Sequence, residues 1–480
     1  MKLSELCRGI PLATRLGQDV EIASLTCDTR ALRPGGLFAA LPGTRRDGND
    51  FIPEALEKGA AAVLCAAAPS GDGPWLLADD PRAAYGRLCA NWFGRPGDRL
   101  RLTGVTGTNG KTTTTYLLKA ILEHAGARVG LIGTNQILIG DRARPAERTT
   151  PDAYPLQALL AEMADAGCGH AVMEVSSHAL ALRRTEGLWY EVGAFTNLTR
   201  DHLDFHGTMA AYRAAKVRLF DQCAAGLFDL DDPTGRSFAG TVPCARHGFA
   251  VDRPAEVRAT ALRLRPDGTA FTVTGPEERC RVWLPIPGRF AVHDALAALG
   301  AARLLGVPLH VGAQALAHAE GVRGRMEVVP VPAPFTVLID YAHTPDALEK
   351  LLGAVRGVTP GRVLCVFGCG GDRDRTKRPI MGELAAELAD LVVLTSDNPR
   401  SEDPERICDE IAAGFPPGFR DLVREPDRRR AIRRALALAR PGDTVVLAGK
   451  GHETTQEIAG VRRPLDEREE IASFFAGDVL

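Results

Sequence analysis

The chain has 480 residues, a formal net charge of −2, 45% hydrophobic and 25% charged residues, proportions that belong to a soluble globular protein and set aside a disordered or collagen-like chain. Its length exceeds one ordinary domain, and its near-neutral charge gives no overall basic field for nucleic acid. The eleven cysteines are scattered and the nearest pair, Cys365 and Cys369, lies in an apolar strand-like run without a second metal-type pair, so a reduced, cytoplasmic chain is expected rather than a disulfide scaffold or a zinc site. The N-terminal stretch MKLSELCRGIPLATRLGQ has no long apolar core, and neither a signal peptide nor a membrane span is expected.

Residues 1–98 form a first region with short strand candidates, GGLFAAL and AAVLC, set between turns; Pro96-Gly97-Asp98 marks its end. RLRLTGV then reads as a strand, and KTTTTYLLKAILEHAG as a helix closed by Gly126. Between them lies GVTGTNGKTTTT, residues 104–115, with glycines at Gly104, Gly107 and Gly110. The usual phosphate-loop frame would need its first glycine at Val105. Even so, backbone N–H groups of Gly107, Thr108, Asn109, Gly110 and Lys111 can cradle phosphate at a helix N-terminus. Lys111, read as a solvent-facing loop lysine, would reach terminal phosphates, and the Thr112 hydroxyl, followed by Thr113, would ligate Mg2+.

The same grammar recurs down the chain. GHAVMEVSSH, VGAFTNLTRDHLD, FTVLIDYAHTPD, GRVLCVFGCGGDRDR, ADLVVLTSDNPR and DTVVLAGKGHE are apolar runs that end in reactive residues. Such runs, with helical stretches between, predict parallel sheets in an α/β fold, whose ligands bind beyond the carboxyl ends of the strands. The ends form two groups, 104–209 and 336–456. Residues 240–290 read as a strand-rich excursion and 291–320 as Ala-rich helix, with a boundary near Gly321–Gly324.

In the first group Glu174 stands where a nucleotide-bound Mg2+ needs a ligand. TNLTRDHLDFHG packs Asp201, His202, Asp204 and His206 together; the spacing offers no convincing tetrahedral zinc set, and His202 is the best candidate for a metal or phosphate role. In the second group GCGGDRDRTKR offers Arg373, Arg375, Lys377 and Arg378, SDNPR offers Asp397, Asn398 and Arg400, and GKGHE offers Lys450, His452 and Glu453. Arginine for carboxylate and acids for ammonium suit a zwitterionic amino acid. Each motif alone more often is a solvated loop.

GTNGKTTT, EVSSHAL, TNLTRDHLDFHG, GRMEVV, DYAHTPDAL, GCGGDRDRTKRP, DNPR and GKGHE, in this order across essentially the whole chain, resemble the Mur ligases, and among them the diaminopimelate-adding members. The resemblance implies an α/β protein of three domains: 1–98 for the UDP-sugar, 99–322 a central P-loop-type ATPase sheet, and 323–480 a Rossmann-like domain for the amino acid. It implies ATP and Mg2+ as cofactors, and UDP-N-acetylmuramoyl-L-alanyl-D-glutamate and meso-2,6-diaminopimelate as substrates, for a cytoplasmic monomer without nucleic-acid or membrane partners. Matched residue by residue, Thr112 and Glu174 hold one metal, and His202 with a carbamylated Lys216 the other. Lys216, in AYRAAKVRLF, reads on sequence alone as a surface lysine. Arg325, Asp340 and His343 match ATP-side residues. Thr29, Thr44, Arg45, Arg46, Asp47, Thr149, Thr150, Ser176 and Arg184 match UDP-muramoyl-dipeptide contacts. Arg373, Asp397, Asn398, Pro399, Arg400, Gly449 and Glu453 match the diaminopimelate site. The chain departs from the family at Ala291 and Asp294, where two asparagines are usual, at Leu182, where glutamine is common, and in the N-terminal loop, where TRR replaces HQA. An L-lysine-adding ligase, a folylpolyglutamate-synthase-like ligase and a nucleotide-switched binding module are the rival readings.

Overall fold

The computed structural model describes residues 1–14, 18–43, 46–69, 73–319 and 321–477. It divides into two compact units, Met1–Glu256 with Ala297–Pro308, and Val257–Leu296 with Leu309–Leu480. In the first unit a small sheet runs in the order Ala13–Thr14, Trp75–Leu77, Ala62–Cys65, Leu37–Ala39, Leu25–Thr26. Its first pair is antiparallel and the rest are parallel. The expected runs GGLFAAL and AAVLC supply its two middle strands.

The larger sheet of this unit places Arg101–Thr106 between His170–Glu174 and Tyr190–Phe195, both parallel to it. Val129–Ile132 extends the sheet beyond His170–Glu174, and Cys223–Asp229 with Ala245–Ala250 extends it on the other side, all in parallel. An antiparallel hairpin, Gln136–Ile139 with Arg142–Pro145, closes one edge. The chain thus leaves Arg101–Thr106 toward one side and later returns to its other side. That strand is a topological switch point, where an open α/β sheet binds its ligand. Six of the eight strands are parallel, so both faces must be covered. The near-continuous burial of Arg101–Thr106 after its first residue fits this.

The three glycines of the opening motif answer to three different constraints. At Gly104 a Cβ would lie 2.9 Å from the Tyr190 ring and 3.1 Å from Val175; it is a packing glycine inside the strand. At Gly107, with φ +155°, a Cβ would fall 1.9 Å from the Thr196 hydroxyl. Gly110, at φ +84°, is the left-handed residue that starts the helix Lys111–His124. Val105, where the usual frame would need glycine, is a fully buried strand residue.

The second unit carries three consecutive antiparallel strands, Val257–Arg265, Gly268–Thr274 and Arg279–Leu284, as the strand-rich excursion predicts. The Ala-rich stretch forms two helices, Arg289–Leu304 and Leu309–Ala317. Gly306, at φ +94°, breaks them, and Pro308 follows it. The C-terminal sheet runs Glu327–Val329, Thr336–Asp340, Thr444–Ala448, Val363–Phe367, Leu391–Leu394, Leu422–Arg424. Only its first pair is antiparallel. Val337, Ile339, Leu364, Val366, Val393, Val445 and Leu447 form one core with Ile432 and Leu436 of the helix Arg428–Leu438. All six apolar runs predicted as strands are strands, and all lie parallel to a neighbour.

Gly104→Ala is expected to destabilise the fold by about 1–3 kcal/mol, because the added methyl overpacks a fully buried tyrosine. Urea denaturation checks it: an unchanged midpoint would show that Tyr190 yields without cost.

Candidate functional site

In the first unit the ends of three adjacent strands meet around the phosphate loop. The Gly107 carbonyl accepts from two amines, Lys111 Nζ at 3.0 Å and Lys216 Nζ at 2.7 Å. Lys111 also donates to the Thr108 carbonyl at 2.8 Å. The expectation of a solvent-facing loop residue is therefore corrected: Lys111 opens the helix Lys111–His124, is half-buried, and folds back on the loop. The cradle is also narrower than expected. The Thr108 N–H donates to the Asn197 carbonyl at 2.9 Å and the Asn109 N–H to Asn197 Oδ1 at 3.0 Å. Anion binding through this loop therefore falls to the helix N-terminus.

Lys216 overturns its reading as a surface lysine. It lies in the helix Met209–Val217, started by Thr208, and is 1% exposed. Burial first, and then the nearby Lys111, hold its pKa well below the ordinary lysine value. Tyr212, four residues earlier on the same helix face, is also buried and sits under the amine, with Nζ 4.6 Å from the ring centroid. The Tyr212 hydroxyl lies 3.1 Å from Thr108 Oγ1. Tyr212 escaped the sequence reading, although its i, i+4 spacing to Lys216 was the available signal.

His202 is exposed at φ +52°, with Nε2 3.5 Å from Asp201 Oδ2. Its ring stands edge-on to His178 at 4.8 Å, and His178 stands 5.5 Å from His206. Burial, and then His202 and His206, push His178 down to about 4. His206 Nε2 lies 2.9 Å from the Ser177 hydroxyl.

Glu174 is fully buried at the end of its strand. Its Oε1 accepts the Thr134 N–H at 2.7 Å and its Oε2 the Thr134 hydroxyl at 3.1 Å. The Thr150 hydroxyl donates to the Glu174 carbonyl at 2.8 Å and accepts the Ser176 N–H at 3.0 Å. Arg184 donates to the Thr150 carbonyl at 3.1 Å and pairs with Asp152 at 2.7 Å. Thr149 reaches Thr134, hydroxyl to hydroxyl, at 3.0 Å. Thr149, Thr150, Ser176 and Arg184 thus adjoin Glu174. With Thr112, buried on the first helical turn, Glu174 provides hard oxygen donors of the kind Mg2+ prefers. As an ammonium, Lys216 is no metal ligand; a carbamate would give it anionic oxygen donors of the kind Mg2+ prefers.

In the N-terminal sheet region Thr29 is buried in the short helix Thr29–Ala31, and its carbonyl accepts Lys58 Nζ at 2.9 Å. Arg46 and Asp47 are exposed, with Asp47 Oδ1 accepting the Asn49 N–H at 2.9 Å. Thr44 and Arg45 lie outside the described residues.

The second unit gathers its candidates at four parallel strand ends. Asp340 accepts the N–H groups of Met326 and Ala342, both at 2.8 Å, and the Arg325 guanidinium lies 5.1 Å over the Tyr341 ring. His343 Nδ1 sits 2.9 Å from the Tyr341 carbonyl. Beyond the neighbouring strands, Asn398 Nδ2 donates to Glu453 Oε2 at 2.9 Å. The buried Lys450 Nζ donates to the same oxygen at 2.8 Å and to Asn398 Oδ1 at 3.2 Å. Burial pushes the Glu453 carboxyl up, but Lys450 and Asn398 outweigh it and hold Glu453 below its ordinary value. At Gly449, φ +115°, a Cβ would meet Asp397 Oδ2 at 2.7 Å, so glycine is what lets that carboxylate in.

Arg400 follows Pro399 at φ +51°, a backbone conformation unusual outside glycine. Its N–H donates to the Glu457 carbonyl at 3.0 Å and its Nη1 to the Gly371 carbonyl at 2.7 Å. The acids that could have neutralised it are engaged elsewhere. Glu402 accepts from Arg378, at 2.8 and 2.9 Å, and Asp403 caps the helix Pro404–Ala412. This sorts the arginine run, read as one group of carboxylate donors. Arg378 is wholly buried and also binds Glu410 at 2.6 Å, and Arg375 pairs with Glu410. Exposed Arg373 remains beside Arg400, on either side of Gly370.

With this geometry in place, known proteins fix the family. The Mur ligase middle domain matches residues 105–302, the Mur ligase glutamate ligase domain residues 324–451, and the Mur ligase family catalytic domain residues 21–80. The chain belongs to the Mur ligase family. It is 45% identical over 477 residues to UDP-N-acetylmuramoyl-L-alanyl-D-glutamate–2,6-diaminopimelate ligase of Gloeobacter violaceus, covering 98% of this chain and 97% of the relative. It is 41% identical to the protein of that name from Syntrophomonas wolfei, with complete coverage of both. A solved structure of a ligase so named superposes with TM-score 0.76 at 32% identity, covering 99% of each chain. A folylpolyglutamate synthase from Mycobacterium tuberculosis shares the fold, with TM-score 0.61 at 17% identity over 82% of this chain and 94% of its own.

The Arg378–Glu402 pair gives a pH prediction. Arg378 foremost, helped by the Asp372 N–H, lowers Glu402 from 4.5 to about 2. A depressed carboxylate adds stability above its unfolded pKa, and that part is lost as pH falls from about 4.5 toward 2. Glu402→Gln should cost about 1–3 kcal/mol at neutral pH and show a shallower loss at acid pH. Urea midpoints at both pH values check this; parallel acid slopes for variant and wild type would refute it.

Proposed function

We propose that this chain is an ATP-dependent ligase that joins meso-2,6-diaminopimelate to UDP-N-acetylmuramoyl-L-alanyl-D-glutamate in peptidoglycan precursor synthesis. The observation that carries the reading is the presence, one in each unit, of two strand-end sites of different chemistry. One is a phosphate loop with two lysines on one carbonyl. The other is a mixed-charge cluster in which Arg400 and Arg373 are left by the acids around them and Asp397, Asn398 and Glu453 can hold an ammonium. Full-length relatives of this name at 41% and 45% identity support it.

A carboxylate is a poor acyl donor until one of its oxygens becomes part of a leaving group. The D-glutamate γ-carboxylate attacks the γ-phosphorus of ATP, giving an acyl phosphate and ADP. The amine of diaminopimelate then attacks the acyl carbon, loses a proton, and the tetrahedral adduct expels phosphate to leave the amide. Lys111 places positive charge on the phosphates and offsets their repulsion of the incoming carboxylate. Gly107, Thr108, Asn109, Gly110, Thr112 and Thr113 shape the loop around them. Bound Mg2+ would supply further charge neutralisation there, held by Thr112 and Glu174 and, on the other side, by His202 and a carbamate on Lys216. Arg325, Asp340 and His343 serve the nucleotide. Thr29, Arg46, Asp47, Thr149, Thr150, Ser176 and Arg184 serve the UDP-muramoyl dipeptide, with Thr44 and Arg45 assigned on resemblance alone. The reading carries with it domains at 1–98, 99–322 and 323–480, a cytoplasmic monomer, and no nucleic-acid or membrane partner.

Burial, and then Lys111, disfavour the charged form of Lys216, and the neutral amine is the species that adds to CO2, releasing a proton and becoming an anion. Lys216→Ala should therefore be inactive and should regain activity when a short-chain carboxylate is supplied in solution. Full activity of the variant without additive would count against the carbamate.

Diaminopimelate differs from lysine by a carboxylate on its far carbon. The unpaired edge of the Arg400 guanidinium suits a forked pair with it. The experiment is ATP turnover with the UDP-muramoyl dipeptide and either amino acid. Wild type should use diaminopimelate, and Arg400→Ala should lose it by at least about two orders of magnitude while residual lysine use is unchanged, with Arg400→Lys intermediate. An equal fall for both amino acids would make Arg400 structural and remove the physical basis of the substrate assignment.

A further inference from the structure

We infer that Thr134 is a positioning residue that ties the metal-side carboxylate Glu174 to the substrate-side Thr149 and fixes Thr149 as a hydrogen-bond acceptor. The inference rests on the ligase reading above. Thr134 follows Gly133 in GLIGTNQ, beyond the strand Val129–Ile132. It is the residue that holds both oxygens of Glu174, through its N–H at 2.7 Å and its hydroxyl at 3.1 Å. Glu174 is wholly buried, and a Cβ at Gly133 would come within 2.5 Å of Oε1. The carboxylate is thus gripped from one side at close range, in a single orientation.

The direction of the hydroxyl bonds follows from proton counting. An ionised carboxylate only accepts, so the single proton of the Thr134 hydroxyl goes to Glu174 Oε2. Thr134 Oγ1 can then only accept from Thr149, 3.0 Å away. The Thr149 proton is thereby committed, and Thr149 turns lone pairs outward. Its neighbour is spent in the same manner: the Thr150 hydroxyl donates to the Glu174 carbonyl at 2.8 Å and accepts the Ser176 N–H at 3.0 Å. Half-buried Thr149 therefore suits an N–H donor of the substrate, such as a peptide or N-acetyl amide, and not a phosphate or carboxylate oxygen. A substrate N–H on Thr149 strengthens the chain through Thr134 to Glu174, since hydroxyls in series polarise one another. Dipeptide binding and metal binding are coupled through one hydroxyl.

The test uses Thr134→Val, which keeps shape and loses the hydroxyl, and Thr134→Ser, which restores it. Dipeptide affinity of the wild type, measured first by calorimetry, tests the ligase reading by itself. Mn2+ affinity is read by electron paramagnetic resonance on protein saturated with a non-hydrolysable ATP analogue. Thr134→Val should weaken both Mn2+ and the UDP-muramoyl dipeptide by about tenfold, and Thr134→Ser should return both to within about threefold of wild type. Thr149→Val should weaken the dipeptide, and should add little when combined with Thr134→Val, because the two share one chain. If Thr134→Val does not fold, the Thr134→Ser and Thr149→Val measurements carry the test. A serine variant as impaired as the alanine substitution Thr134→Ala, unchanged Mn2+ affinity in Thr134→Val, or effects of the two valines that multiply, would each overturn the inference.

Discussion

The carbonyl oxygen of Gly107 accepts hydrogen bonds from Lys111 and Lys216 at once, and much of the first unit follows from that. Two ammonium groups converging on one carbonyl repel each other, and one of them is cut off from water. The buried partner gives way, and the Lys216 pKa falls. Burial does most of this and Lys111 the rest. The carbonyl points at both amines because Gly107 adopts a backbone conformation and a closeness to Thr196 that a side chain forbids. Tyr212 closes the other side of Lys216 and ties its own hydroxyl to Thr108. The loop is therefore shaped from the helix Met209–Val217 as much as from its own glycines.

The sheet explains why these pieces meet. Arg101–Thr106 lies between strands that arrive later in the chain from both sides. The loop that leaves its end, Glu174 at the end of one neighbour, and Thr196 to Thr199 after the other are brought together by parallel pairing alone. The second unit repeats the arrangement with different chemistry. Four of its parallel strands end at Asp340, Phe367, Leu394 and Ala448, and polar or charged residues follow within a few positions of each. On the proposed reading, the same architecture offers an anion site where the following residues start a helix and a zwitterion site where they carry opposite charges.

Most of this organisation is legible in the sequence because it is local. An apolar run followed by polar residues is a buried parallel strand, and every such run proved to be a strand. The shifted glycine frame was visible too, but not the packing behind it, because Gly104 and Gly107 answer to Tyr190 and Thr196, residues far off in the chain. The misreadings were of burial and of ion pairing. Lys216 looked like a surface lysine, since an amphipathic helix does not announce which polar residue its fold will turn inward. Arg375 and Arg378 looked like substrate donors, since their acceptors Glu402 and Glu410 lie on the far side of a strand and a helix. Thr134 carries no motif and is visible only through its two bonds to Glu174.

The arginines show how a site can be made by what surrounds it. A loop with four cations would attract any anion. Here Glu402 and Glu410 take Arg378 into the interior, and Glu410 takes Arg375. Those pairs brace the loop at a cost in desolvation, and they neutralise two of its four cations. Arg400 is kept apart from them by a left-handed backbone that the Glu457 carbonyl helps to hold, a strain of the kind stored at functional positions. On the opposite wall Lys450 neutralises part of Glu453 and orders Asn398. On the proposed reading, an amino acid with two ammonium and two carboxylate groups demands this balance. A uniformly cationic loop would hold its carboxylates and repel its amines, and the nucleophile for amide formation is one of those amines.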